Sequence, residues 1–171
     1  VRYNVINWVH RATRGWSYGS SVVDPRTGEI IKGHVTLGSL RVRQDYLIAL
    51  GLTSPFKEGN TDTTAQQEMA LDRIRQLSAH EVGHTLGIAH NFAASENNRA
   101  SVMDYPHPKI SIKNGKISLE GAYDKGIGAW DIHAVEYGYQ DFASDVEEAE
   151  ALAKIIVKGR NEGLSFKSDP D

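Results

Sequence analysis

No feature limits what this chain can fold into more than one eleven-residue run, His80-Glu81-Val82-Gly83-His84-Thr85-Leu86-Gly87-Ile88-Ala89-His90. Histidines four positions apart come together on a helix, where they stand one turn apart on the same face. Glu81 is then turned far enough round to address a water bound to a metal between the rings. Gly87 permits the sharp turn that ends such a helix, so that His90 can return as a third imidazole. With 7 His, 11 Glu and 16 Gly in 171 residues, chance supplies H-E-x-x-H in roughly 2 of 100 chains of this composition, and the full pattern in roughly 7 of 100,000. The spacing is therefore read as a site, against the alternative of helix-surface histidines with no metal.

Three neutral imidazoles suit zinc, and three protein ligands leave a fourth position for water, the arrangement of a catalytic rather than a structural site. A closed structural site takes a fourth protein ligand, usually Cys, and the chain has no cysteine. Disulfides, thiolate metal sites and cysteine nucleophiles are excluded with it. Zinc brings the pKa of a bound water towards about 7 and polarises a carbonyl, while Glu81 takes the water's proton and delivers it to a leaving amine. That is amide hydrolysis without a covalent intermediate. No phosphate-binding loop or dinucleotide fingerprint competes with it, and no G-x-S-x-G serine elbow is expected.

H-E-x-x-H-x-x-G-x-x-H followed by a methionine-containing turn resembles the signature of the metzincin zinc metallopeptidases. The second element is Ser101-Val102-Met103-Asp104-Tyr105-Pro106, with Met103 13 residues beyond His90. The resemblance implies that His80, His84 and His90 bind one catalytic Zn2+, that Glu81 is the general base and acid, and that Met103 forms a hydrophobic floor beneath the histidines. In two branches of the family, the astacins and serralysins, a tyrosine two residues after the methionine approaches the zinc. Tyr105 is by that analogy a fifth ligand or oxyanion donor, the alternative being a buried tyrosine whose hydroxyl satisfies a loop carbonyl. Asn91 after the third histidine matches neither the Glu nor the Pro of those branches, so the branch stays open.

The rest of the chain supports an α+β fold of metzincin-like type: a small mixed sheet with an antiparallel edge strand, a long zinc-binding helix, a Met-turn and C-terminal helices. Residues 1–9 are rich in Val, Ile, Tyr and Trp and read as a strand. Residues 19–23 and 29–37 form a hairpin through Asp24-Pro25-Arg26-Thr27-Gly28, with Gly28 in a left-handed bulge. The resemblance makes residues 18–23 the edge strand that roofs the cleft, an open edge offering N–H and C=O groups to extended peptide. Ser20, Ser21 and Val22 are then substrate-contacting, together with Pro106 and His107 after the Met-turn. As metal ligands, His10, His34, His107 and His133 are set aside for packing or surface roles.

Residues 40–50 have helical periodicity up to Gly51, 53–61 form a loop, and a helix runs from near Thr63 to about Leu86 with Met69, Ile74 and Leu77 as its apolar stripe. Gly83, between two ligands, points to something packed close to the helix backbone. Asn114-Gly115 marks a hairpin within 110–119, and helices are expected at 130–137 and 142–157, the latter capped by Ser144 or Asp145. A polar stretch, 158–171, follows.

At 40% hydrophobic and 24% charged, the chain can bury a core, and a net charge of −3 gives no footprint for nucleic acid or anionic membrane. No apolar run approaches a membrane span. Residues 1–140 are expected to form a metzincin-like catalytic domain without the first strands and helix usual in the family, and 141–171 a C-terminal helix and tail that either packs on this domain or connects to a further one. The segments GWSYGSSVVDPRTGEI, HEVGHTLGIAHN and SVMDYP look most like a bacterial group of large multidomain metalloproteases, the met-zincins. That likeness implies an exported parent protein and a protein or peptide substrate. A zinc-retaining, non-catalytic peptide-binding or scaffold domain is the alternative.

Overall fold

The computed structural model describes residues 3–11, 13, 16–59 and 61–169. It is a mixed α+β chain in two compact units, one of Val1–Gly87 with His107–Gly126 and the other of Ile88–Pro106 with Ile127–Asp171.

In the first unit, strands β1 (Val5–Val9), β2 (Tyr18–Val23) and β3 (Ile30–Gly38) form a sheet in the order β1-β3-β2. β3 lies parallel to β1 and antiparallel to β2, with Ser20 opposite His34 and Ser21 opposite Gly33. Flanked on both sides, β3 carries the buried residues Val35, Thr36 and Leu37, whereas Ile6 and Trp8 of β1 stay exposed. The hairpin turn is the expected one: Asp24 O accepts from Gly28 N at 2.8 Å, and Gly28 takes a φ of 78° that favours glycine. Residues 1 and 2 of the expected first strand lie outside the described residues.

Helix α1 (Leu40–Thr53) continues through Gly51, where an end was expected, and stops at left-handed Ser54. Part of the expected loop that follows is a 3₁₀ turn, Pro55–Glu58. Helix α2 (Thr64–Thr85) starts where Asp62 accepts from Thr64 N at 2.9 Å. Its buried face is more polar than the expected stripe, because Gln66, Arg73 and Gln76 are buried with Met69 and Leu77 while Ile74 is only half-buried.

Gln66 donates to Thr53 Oγ1 at 2.8 Å, while Arg73, which donates to Gln76, belongs to a buried charge cluster built on Asp45 of α1. Arg41 Nε stands 2.9 Å from Asp45 Oδ2, Tyr123 Oη donates to Asp45 Oδ1 at 3.4 Å, and the Arg73 guanidinium lies 5.5 Å from the Tyr123 ring centre. Beside it, Ala49, Met69, Leu119, Ala122 and Tyr123 make the apolar core. Strands β4 (Ser111–Lys113) and β5 (Lys116–Ser118) close over Asn114 and Gly115, both with positive φ, as the sequence predicts.

In the second unit, α3 (Ala129–Tyr139) packs on α4 (Asp145–Asn161). The contact is close because a Cβ on Gly159 would come within 2.5 Å of the His133 ring. Ser144 Oγ accepts from Glu147 N at 3.3 Å and caps α4, which runs four residues further than expected. Phe166, in the tail after α4, stacks on Trp130 with ring centres 5.5 Å apart. Among the described residues, no helix is long and apolar enough to cross a membrane.

Candidate metal centre

Helical pitch alone brings the first two ligands together. His80 is 3% exposed, and its Nε2 stands 3.2 Å from Nε2 of His84 with the rings at 89°. Two nitrogens each about 2.0–2.1 Å from a tetrahedral zinc would be about 3.3 Å apart, so the pair already has the edge length of such a site. α2 then stops, with Leu86 N donating to Gly83 O and Gly87 N to His84 O, both at 3.0 Å, and Gly87 turns the chain at a φ of 78°. Within this continuous run the ligand atoms of His80, His84 and His90 all lie within 4.8 Å of one another, the one such group found among the described residues. Three imidazoles with no thiolate or carboxylate in the set fit zinc and leave room for a water.

The remaining histidines stand outside this group. His34 is bonded to Asn7 Nδ2 at 2.8 Å, His10 lies edge-on to Trp8, and His133 fills the space left by Gly159. His107 is exposed in the first unit.

Glu81 is 4% exposed, and its main chain is where the sheet touches α2. A Cβ on Gly19 of β2 would stand 1.9 Å from Glu81 O and 3.0 Å from His84 Cβ, so only glycine fits; one strand away, a Cβ on Gly33 would lie 3.0 Å from Thr85 Cβ. Close approach to the helix backbone is thus found at Glu81, through glycines on the strands. Glu81 also reaches the charge cluster electrostatically. Burial and neighbouring Arg41 press the Arg73 pKa below its ordinary value, and Tyr123, Asp45 and Glu81 oppose that fall.

Within the second unit, two side chains bond the His90 ring. Tyr105 Oη is 2.7 Å from His90 Nε2, and Asp169 Oδ2 is 2.8 Å from His90 Nδ1. Tyr105 is 55% exposed, so the buried-tyrosine alternative does not describe it. Met103 is 1% exposed, in a turn held by one carboxylate. Asp131 Oδ1 accepts from Ser101 Oγ at 2.6 Å, Asp131 Oδ2 accepts from Val102 N at 2.8 Å and Gly128 N at 2.7 Å, and Ser101 Oγ in turn accepts from Met103 N at 2.9 Å. Asn91, wholly buried, donates its backbone N–H to Met103 O at 3.0 Å.

Ser20, Ser21 and Val22 lie on β2, whose outer side is not paired with another described strand. Pro106 is the last residue of its stretch in the second unit and His107 the first of the returning stretch in the first unit. Contrary to the expectation, the elbow spelling G-x-S-x-G does occur once, as Gly15-Trp16-Ser17-Tyr18-Gly19. Ser17 leads into β2 rather than a strand-to-helix turn, and its Oγ accepts from Gly38 N at 3.1 Å.

Asp131, Asn91 and Asp169 are the residues that sequence reasoning missed. Asp131 alone left a signal, an acid in the first turn of a predicted helix.

No curated protein and no solved structure matches the chain. Residues 62–171, more than half of its length, match the family described as Met-zincin. That span takes in α2, all three histidines and the methionine-bearing turn, so the chain belongs to the Met-zincin family.

Proposed function

We propose that this chain is a zinc-dependent endopeptidase domain that hydrolyses peptide bonds. The observation that carries the reading is the set of three imidazoles at ligand spacing with the buried Glu81 directly beside the first. His80, His84 and His90 would hold the zinc, which when bound would supply Lewis acidity to the substrate carbonyl and to an attacking water. Glu81 accepts that water's proton and passes it to the leaving amine. Its low exposure keeps the carboxylate out of bulk water, where proton transfer is best directed. Tyr105 Oη, already at the third histidine, donates to the oxyanion as it develops.

Ser20, Ser21 and Val22 receive an extended substrate on the free edge of β2, with Pro106 and His107 contacting the portion beyond the scissile bond. Main-chain pairing gives affinity with little dependence on substrate sequence.

The test is cleavage of an unstructured protein by the zinc-loaded chain. Wild type is expected to bind one equivalent of zinc and to cleave in a chelator-sensitive way. Glu81→Gln should keep the zinc and lose the cleavage, and Tyr105→Phe should lower kcat by about 10- to 1,000-fold with little change in KM. Zinc uptake with no cleavage by wild type would favour a peptide-binding or scaffold domain, and no zinc uptake would overturn the metal site itself.

A further inference from the structure

We propose that Asp169, in the tail after α4, is a positioning residue for His90, fixing its ring in the tautomer and orientation that a metal ligand needs. The proposal rests on the zinc-site reading and goes beyond it by assigning the tail a part in the site.

The tail is built onto the residue next to the ligand. Asn91 donates from Nδ2 to Ser165 O at 2.9 Å and accepts at Oδ1 from Lys167 N at 3.1 Å, pairing with the tail much as a neighbouring strand would. Phe92 N adds a bond to Lys167 O at 2.8 Å, and Phe166 stacks on Trp130. Two residues beyond Lys167, the chain delivers Asp169 Oδ2 to His90 Nδ1 at 2.8 Å. Asn91 was only a mismatch to two branches of the family; here it is the bracket that carries the tail.

A carboxylate can only accept, so a neutral His90 bonded to Asp169 carries its proton on Nδ1. Nε2 then carries the ring's lone pair, and Tyr105 Oη, 2.7 Å away, donates to it. The lone pair a metal needs is thereby present on a ring clamped from both ends. Outer partners of this kind set the tautomer of a ligating histidine, and their loss typically weakens metal binding by about 10- to 100-fold.

The experiment measures zinc affinity of the full chain by competition with a chelating dye, and the His90 tautomer of the metal-free chain by side-chain nitrogen NMR. Asp169→Ala is expected to weaken zinc binding about 10- to 100-fold and to move His90 towards the Nε2–H form, while Asp169→Asn, which keeps an oxygen acceptor, loses less. Unchanged affinity would overturn the proposal. So would a loss of affinity with an unchanged tautomer, since that reports only a loosened tail. If the wild type takes up no zinc, the zinc-site reading fails, and the tautomer of the metal-free chain still decides whether Asp169 positions His90.

Discussion

At the scale of single residues, Asp131 anchors the methionine-bearing turn. Its two oxygens gather Ser101 Oγ, Val102 N and Gly128 N, and Ser101 relays the hold to Met103 N. The carboxylate is 3% exposed, so removing it strands buried donors away from water. Asp131→Ala is expected to destabilise the chain by about 3 kcal/mol or more in urea unfolding, because charged hydrogen bonds and buried unmet donors both enter the loss. The histidine group was legible in the sequence because His80 and His84 are one helical turn apart, and a helix turns period into proximity. Asp131, Asn91 and Asp169 were not, because they act on partners 30, 76 and 79 residues away, and no local pattern encodes such distances.

At the scale of elements, local chemistry was a good guide wherever a turn had one solution. Asn114-Gly115 and Gly28 both adopt the positive φ their residue types predict. α1 is the counterexample. Gly51 suggested a stop, yet the helix runs on to Thr53, whose Oγ1 donates to Ala49 O and accepts from Gln66 Nε2, both at 2.8 Å. Packing against α2 thus overrides the propensity of one glycine. A Cβ at Gly51 would meet nothing within 4 Å, so the helix keeps glycine's entropy cost without needing its small size. Gly51→Ala is expected to stabilise the chain by about 0.5–1 kcal/mol, read as a higher midpoint in thermal unfolding, and a lower midpoint would contradict this account.

At the scale of the whole molecule, the apolar pattern predicted a conventional core and missed the charges placed inside it. Burial pushes the Asp45 carboxyl above its ordinary range, with Arg41, Arg73 and Tyr123 only partly opposing the rise. Because the folded value is the higher one, the fold holds this proton more tightly than the unfolded chain does. Asp45's contribution is therefore full below the ordinary carboxylate range and falls as pH rises through the raised folded value. Urea unfolding of wild type and Asp45→Asn across the acid range should show the difference in stability between them moving against the wild type as pH climbs. A flat difference would mean that burial does not govern this carboxyl.

Gly19 has a consequence for the proposed hydrolysis. Its α-carbon lies so near Glu81 O that a methyl group has no room, so the strand sits closer to the helix than any residue but glycine permits. A substrate added to the outer side of β2 would lie one further strand spacing away, about 4.8 Å. In the proposed peptidase the missing methyl would therefore act as a gauge for how far an added substrate strand stands from the helix that carries Glu81, and an error of about 1 Å in such a setting can cost about 100-fold in rate.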